Sequence, residues 1–143
     1  LRTNFFGQVR SPGRVSFSDW LINSLIHEQI ITVFDDVYFS PLSLQTLVEL
    51  LGLVILKRQN GVFNLGSKEG MSKADFAFKL AEILGLATKK MSRGRVDMAK
   101  LTASRAKDMR MDSSLFEHVF DVELPKLEKE IQLMQQVYSD VSN

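Results

Sequence analysis

The sequence predicts an α/β fold, helices packed on short strands, from two alternating patterns. Short aromatic or β-branched runs open the chain at Leu1-Arg2-Thr3-Asn4-Phe5-Phe6-Gly7 and return at 30–34 and 62–66. Between them lie longer stretches whose apolar residues recur at the helical period, with serines near their starts. At 143 residues and 45% hydrophobic content, the chain has material for one domain with a real core and too little for two, so residues 1–143 are expected to form a single domain.

The opening run has no turn or start residue before it and reads as a chain entered in mid-strand, whose neighbour is expected elsewhere. Gln8 to Arg14 holds a proline, a glycine and two arginines, a loop composition, and a helix begins near Ser16 with Phe17, Trp20, Leu21, Ser24 and Leu25 on one face. Ile30 to Phe34 reads as a strand that Asp35-Asp36 ends. Ser40-Pro41 and Ser43 are start signals for the next helix, because a serine oxygen accepts from unpaired first-turn amides and proline has no amide to leave unpaired. Leu44, Leu47, Val48, Leu51 and Ile55 line one side of it, while Leu50, Leu53, Val54 and Leu56 make the other side apolar, so this helix is expected to be covered on more than one face.

Asn60-Gly61 turns the chain into a short buried strand over 62–66. Ser72-Lys73-Ala74-Asp75 has capping-box spacing, and Phe76, Ala77, Leu80, Ile83 and Leu84 form a stripe that stops at Gly85. From Ala87 to Asp112 periodicity weakens, and a loop-borne site is most plausible there. A short helix over 113–120 precedes Leu124-Pro125, and a last helix carries Leu127, Ile131, Met134, Tyr138 and Val141 on one stripe, with His118 and Met134 reading as ordinary helix residues.

A net charge of +1 gives no global field of the kind that marks nucleic-acid or membrane-surface proteins. Charge is nevertheless segregated: residues 86–110 carry eight Lys and Arg against Asp97 and Asp108, whereas the tail from Asp112 is acidic. No aromatic interleaves the basic residues, so stacking on bases has no platform there and no nucleic-acid partner is expected. The apolar stretch Leu42 to Leu56 is shorter than a bilayer span, so no membrane partner is expected either. The absence of cysteine removes disulfides and thiolate metal sites, no metal site is expected, and a cytoplasmic location is compatible. There is no G-x-G-x-x-G, G-x-S-x-G, H-E-x-x-H or P-loop, and neither tyrosine has a lysine four residues on. No catalytic residue is therefore assigned to this chain.

Three stretches together carry a resemblance. Asn4-Phe5-Phe6-Gly7 is similar to the N-[VF]-[YF]-G run after the sixth strand of extended short-chain dehydrogenase/reductases that act on nucleotide sugars. Ser40-Pro41-Leu42-Ser43 with its apolar helix, then Gly61 to Gly66 and the Ser72 helix, resembles the substrate lobe of the dTDP-4-dehydrorhamnose reductase family. Residues 105–115 resemble that family's R-P-x-[DN]-x-x-L-D-x-[ST]-[KR]-[LF], with Ala106 in place of proline. The resemblance implies the C-terminal substrate-binding lobe of an NAD(P)-binding Rossmann-type nucleotide-sugar reductase, with the Rossmann cofactor half absent. It also implies a parent enzyme that uses NADPH or NADH to reduce the 4-keto group of a dTDP-sugar, with a Tyr-x-x-x-Lys pair on the missing half. This chain alone is expected to bind no cofactor and to be inactive. The missing N-terminal half and the dTDP-sugar are the implied partners, and a homodimer is left open.

On the same resemblance, Arg105 stands where the family meets the pyrophosphate, and a guanidinium fork suits phosphate oxygens; the alternative is a solvated arginine paired with Asp108 or Asp112. Asn4 is placed to donate its amide to a phosphate or sugar oxygen, or to be a strand-end turn residue. Phe5 replaces the tryptophan that packs on the sugar in rhamnose-forming reductases. Ser16 and Phe17 fall beside the nucleotide base, although Phe17 also fits the core stripe of its helix, and Tyr38 and Phe39 either stack on the base or pack on the sheet. The rival readings are an epimerase or reductase of another nucleotide sugar, and a non-catalytic lobe such as the regulatory subunit of methionine adenosyltransferase in the same superfamily.

Overall fold

The structure, a computed structural model, describes residues 1–9, 11–99 and 106–138. The opening run is a pair of short strands, β1 (Arg2–Thr3) and β2 (Phe5–Phe6), followed by α1 (Phe17–Ile26) and β3 (Ile31–Phe34). Next come β4 (Tyr38–Phe39), β5 (Leu42–Ser43), α2 (Leu44–Lys57), β6 (Asn64–Leu65), β7 (Met71–Ser72) and α3 (Lys73–Ile83). After these follow β8 (Met91–Gly94), a 3-10 turn over Val96–Met98, β9 (Asp108–Met109), α4 (Ser114–Phe120), α5 (Leu127–Gln132) and α6 (Met134–Val137).

The opening strand changes partner at Asn4. Arg2 and Thr3 run parallel to Asn64 and Leu65, whereas Phe5 and Phe6 run parallel to Leu42 and Ser43. Parallel pairing also joins β3 to β8, and β4 lies between antiparallel β7 and parallel β9. Close approach is built in at Gly66, where a Cβ would stand 2.6 Å from the Ser40 carbonyl oxygen, so the loop after β6 rests directly on the chain before β5.

Two cores hold these elements. The larger is closed by Leu21, Leu25, Val33, Phe76, Leu80 and Ile131 from α1, β3, α3 and α5. Four of its phenylalanine rings cluster, with Phe76 edge-on to Phe6 at 4.8 Å and to Phe39 at 5.2 Å and tilted against Phe17 at 5.8 Å. The smaller packs Leu47 and Leu50 of α2 against Phe63, Leu65, Phe116 and Phe120.

Several boundaries differ from expectation for local reasons. Leu42 and Ser43 are a strand that pairs with β2, so α2 begins only at Leu44. The strand expected over 62–66 contracts to two residues, with Val62 outside and exposed. The segment from Ala87 contains β8, because the four residues Met91–Gly94 pair with β3 across a long sequence separation. The last helix breaks at Leu133 into α5 and α6, and Val141 lies outside the described residues. The clearest correction concerns α2: only Leu47 and Leu50 are buried, because β2, β5 and α4 cover one side of it and nothing among the described residues covers the other. Gly85 does stop the α3 segment, at φ +66°, in the left-handed region where glycine meets no Cβ penalty.

Candidate functional site

A cavity of about 950 Å³ opens between β2, the segment from Gly7 to Ser16, the start of α2, and α6. Phe5, Val15, Phe17, Leu44, Val48 and Val137 give it apolar walls, with Gln8, Arg14, Gln45 and Glu49 as polar or charged lining. The segment from Gly7 passes close to α2: a Cβ at Gly7 would lie 3.2 Å from that of Leu44.

The wall from Gly7 to Ser16 is pinned by hydroxyl and carboxylate groups at the start of α1. Ser16 Oγ accepts from the Asp19 backbone N–H at 3.0 Å, the bond that caps the helix. It also lies 2.9 Å from both the Gly7 carbonyl and Asp19 Oδ2, and its single proton goes to one of them at a time. Ser18 is fully buried and accepts from the Gly7 N–H at 3.2 Å. Asp19 Oδ2 further accepts from the Val9 N–H at 2.9 Å, and Asp19 Oδ1 accepts from the Tyr138 hydroxyl at 2.7 Å. Tyr138 is buried, and burial first, then the Asp19 carboxylate, push its phenol well above the usual tyrosine range.

Of the residues singled out in the sequence, Phe5, Ser16 and Phe17 meet in this cavity. Phe5 is 57% exposed and presents its ring there. Phe17 is half-buried: Trp20 stacks on it at 5.9 Å, Phe39 meets it edge-on at 6.1 Å, and the Lys73 ammonium lies 5.0 Å from its centroid. Asn4 sits at the strand's change of partner, where its carbonyl accepts from the Leu42 N–H; its side-chain Oδ1 is buried without a partner among the described residues. Phe39 takes the packing alternative, with its ring enclosed by the larger core.

Tyr38 does not line this cavity. The Arg110 guanidinium covers its ring at 5.1 Å and is itself bidentate to Asp108, at 2.9 and 2.6 Å. That guanidinium, and then the Arg110 backbone N–H, hold the Asp108 carboxyl down to about 2. Arg110 borders a second, polar recess of about 520 Å³ with Ser40, Ser67, Lys68 and Asp112. Arg105 lies outside the described residues. Sequence reasoning missed the walls given by Leu44, Val48, Met134 and Val137 and the Asp19–Tyr138 bond; the one available signal was Tyr138 on the last apolar stripe.

The start of each of the three longest helices is occupied by the protein's own oxygens. Ser16 and Asp19 serve α1; Ser43 Oγ and Glu130 serve α2, Glu130 Oε2 accepting from the Ser43 N–H at 2.6 Å; Ser72 Oγ serves α3, accepting from the Asp75 N–H at 3.0 Å. No glycine-rich turn opens onto any of them, so the residues present do not fit the pyrophosphate of a nicotinamide cofactor.

Known proteins give the wider context. The RmlD substrate binding domain family matches residues 5–139. The chain is similar to the solved dTDP-4-dehydrorhamnose reductase of Bacillus anthracis in complex with NADP, at TM-score 0.81 and 15% identity over 95% of this chain and 46% of that one. It is also similar to a dTDP-4-dehydrorhamnose reductase of Clostridium acetobutylicum, at TM-score 0.78 and 18% identity over 92% and 45% of the two chains. A third likeness is to UDP-glucose 4-epimerase of Thermotoga maritima with UDP-glucose, at TM-score 0.76 and 16% identity over 99% and 45%. The chain thus spans less than half the length of these structures. The likeness shows the fold, an α/β arrangement that matches part of Rossmann-type nucleotide-sugar enzymes. No curated protein matches the sequence.

Proposed function

The chain belongs to the RmlD substrate binding domain family, and from that premise we propose that it is the substrate-binding lobe of an NAD(P)H-dependent reductase of a 4-keto-deoxyhexose nucleotide, with dTDP-4-dehydrorhamnose as the substrate. The observation that carries the reading is the cavity that gathers Phe5, Ser16 and Phe17, three residues named from the family resemblance, on one wall system. Hydride and proton come from the other half, and this lobe supplies position, which is where much of the barrier to a reaction between bound partners is lowered.

Division of labour follows from the chemistry of the walls. The apolar rings suit the base or the deoxysugar. With the helix starts already capped, the diphosphate falls to cations: Arg14, exposed on the cavity lining, and Arg105. The other half belongs on the uncovered side of α2, where Leu44, Val48, Leu51 and Ile55 form an exposed apolar stripe. No helix among the described residues is long and apolar enough to cross a membrane, and a cytoplasmic location goes with this reading.

Titration with dTDP, UDP and NADPH, followed by the fluorescence of Trp20 stacked on Phe17, tests it. The expected result is a saturable response to dTDP with a Kd on the order of 1 mM, the level that one charged hydrogen bond and one stacked ring supply, and no response to NADPH. A response to NADPH with none to either nucleoside diphosphate overturns it. The uncovered α2 stripe also suits a non-catalytic regulatory lobe, and protein binding through α2 without any nucleotide response selects that reading.

A further inference from the structure

The two sides of the cavity come from opposite ends of the chain, and one carboxylate joins them. Gly7, Val9 and Ser16 line one side and Met134 and Val137 the other. Asp19 reaches both: Oδ2 accepts from Val9 N–H and lies beside Ser16 Oγ, while Oδ1 accepts from the hydroxyl of Tyr138, the residue that ends α6. The Val9 N–H can only donate, and the two hydroxyls, of Ser16 and Tyr138, turn to donate where they face a carboxylate. A carboxylate can accept from all three at once, whereas an amide of the same shape has one accepting oxygen, and the Tyr138 hydroxyl would have to turn from donor to acceptor to meet its N–H.

We infer that Asp19 and Tyr138 form a latch in which Asp19 is the positioning residue of the cavity, holding the Gly7–Ser16 wall against the α6 wall so that the rings of Phe5 and Phe17 face one ligand. This inference rests on the reading of the cavity as the nucleotide-sugar site. Tyr138 is 3% exposed, so its hydroxyl has no solvent to replace Asp19. The bond spans 119 residues of sequence, and its loss frees the carboxylate that also holds Val9. The latch touches no part of the substrate; it acts through the wall it fixes.

Two readouts on the full chain test the latch: amide hydrogen exchange of the Gly7–Ser16 segment, and dTDP titration by Trp20 fluorescence. In Tyr138→Phe, which keeps the ring and removes one hydrogen bond to a charged group, Val9 exchange rises and dTDP affinity falls, each about tenfold, while Phe76 and Leu80 in α3 keep their protection. Asp19→Ala, which removes both oxygens, gives the same pattern more strongly. Unchanged exchange at Val9 in both variants overturns the latch, and so does an equal loss of protection across α3, which marks a general structural contribution instead. Faster Val9 exchange with unchanged dTDP affinity overturns the positioning role. If the unsubstituted chain ignores dTDP, the functional reading falls, and the exchange arm still decides whether Asp19 joins the two walls.

Discussion

Helices α2 and α3 start alike and end up in different surroundings. Each follows a two-residue strand whose last residue is a capping serine, Ser43 at φ −64°, ψ 151° and Ser72 at φ −68°, ψ 157°. α3 then buries Ala74, Phe76, Ala77, Leu80 and Ala81 completely, whereas α2, richer in large apolar residues, leaves Leu44, Val48, Leu51 and Ile55 between 40% and 71% exposed. Apolar content therefore does not decide burial. α3 is enclosed by α1, β3, α5 and α6, while α2 has neighbours on one side and an apolar stripe at i, i+4, i+7 and i+11 on the other. One helix is enclosed; the other presents an apolar face that nothing among the described residues covers.

The largest effect expected is on the enclosed helix. Phe76→Ala removes a ring packed among Phe6, Phe17 and Phe39 and lowers unfolding free energy by about 3–5 kcal/mol in urea denaturation. On α2, Val48→Ser with Ile55→Ser changes it by no more than about 0.5 kcal/mol, because neither side chain leaves a core. The same pair of changes weakens association with a separately supplied cofactor half. A loss on α2 comparable to that of Phe76→Ala would break the comparison by showing the stripe to be part of this lobe's own core.

That asymmetry also marks how far the sequence could be read. Local signals at Ser16, Ser43 and Ser72 placed the starts of three helices and Gly85 the end of one, because capping is decided by neighbours along the chain, whereas Ser40-Pro41, also read as a start, precedes a strand. Burial of α2 is decided by elements distant in sequence, so its two apolar faces looked equivalent. β8 was missed for the same reason: Met-Ser-Arg-Gly has no alternation and is a strand only because β3 lies alongside. Of the candidates named from the resemblance, Phe5, Ser16 and Phe17 line one cavity. Asp19 was not singled out, since its partner Tyr138 is reached only through the fold.

A smaller difference is expected at the caps. Ser72→Ala removes an acceptor for the Asp75 N–H and a donor to Asp75 Oδ2, and costs about 1 kcal/mol. Ser43→Ala costs less, because Glu130, reaching over from α5, keeps its bonds to the Ser43 N–H at 2.6 Å and to Thr46 Oγ1 at 2.9 Å. Equal losses in chemical denaturation would mean that Glu130 does nothing for α2 beyond what its own serine does.

The smallest effect is electrostatic and again separates the two helices. α3 carries an acid of its own in the first turn, Asp75, whereas α2 has none there. The Ser72 hydroxyl first, then the Arg93 guanidinium at 2.8 Å, hold the Asp75 carboxyl below the usual range against the opposing effect of burial. Unfolded, Asp75 titrates near the ordinary value of about 3.9. Between its folded and unfolded pKa the unfolded chain binds more protons, so Asp75 contributes stability that is complete above about pH 4 and is lost as pH falls through the folded pKa. Arg93→Met removes the guanidinium and leaves the serine, whose hydroxyl makes the largest single contribution, in place. The Asp75 midpoint, followed by side-chain carboxyl NMR, therefore rises only part of the way to the unfolded value, whereas Ser72→Ala raises it further. If Arg93→Met produced the larger rise, the ion pair rather than the cap would set the charge at the start of α3, and the helix would depend on β8 for what its own first turn otherwise supplies.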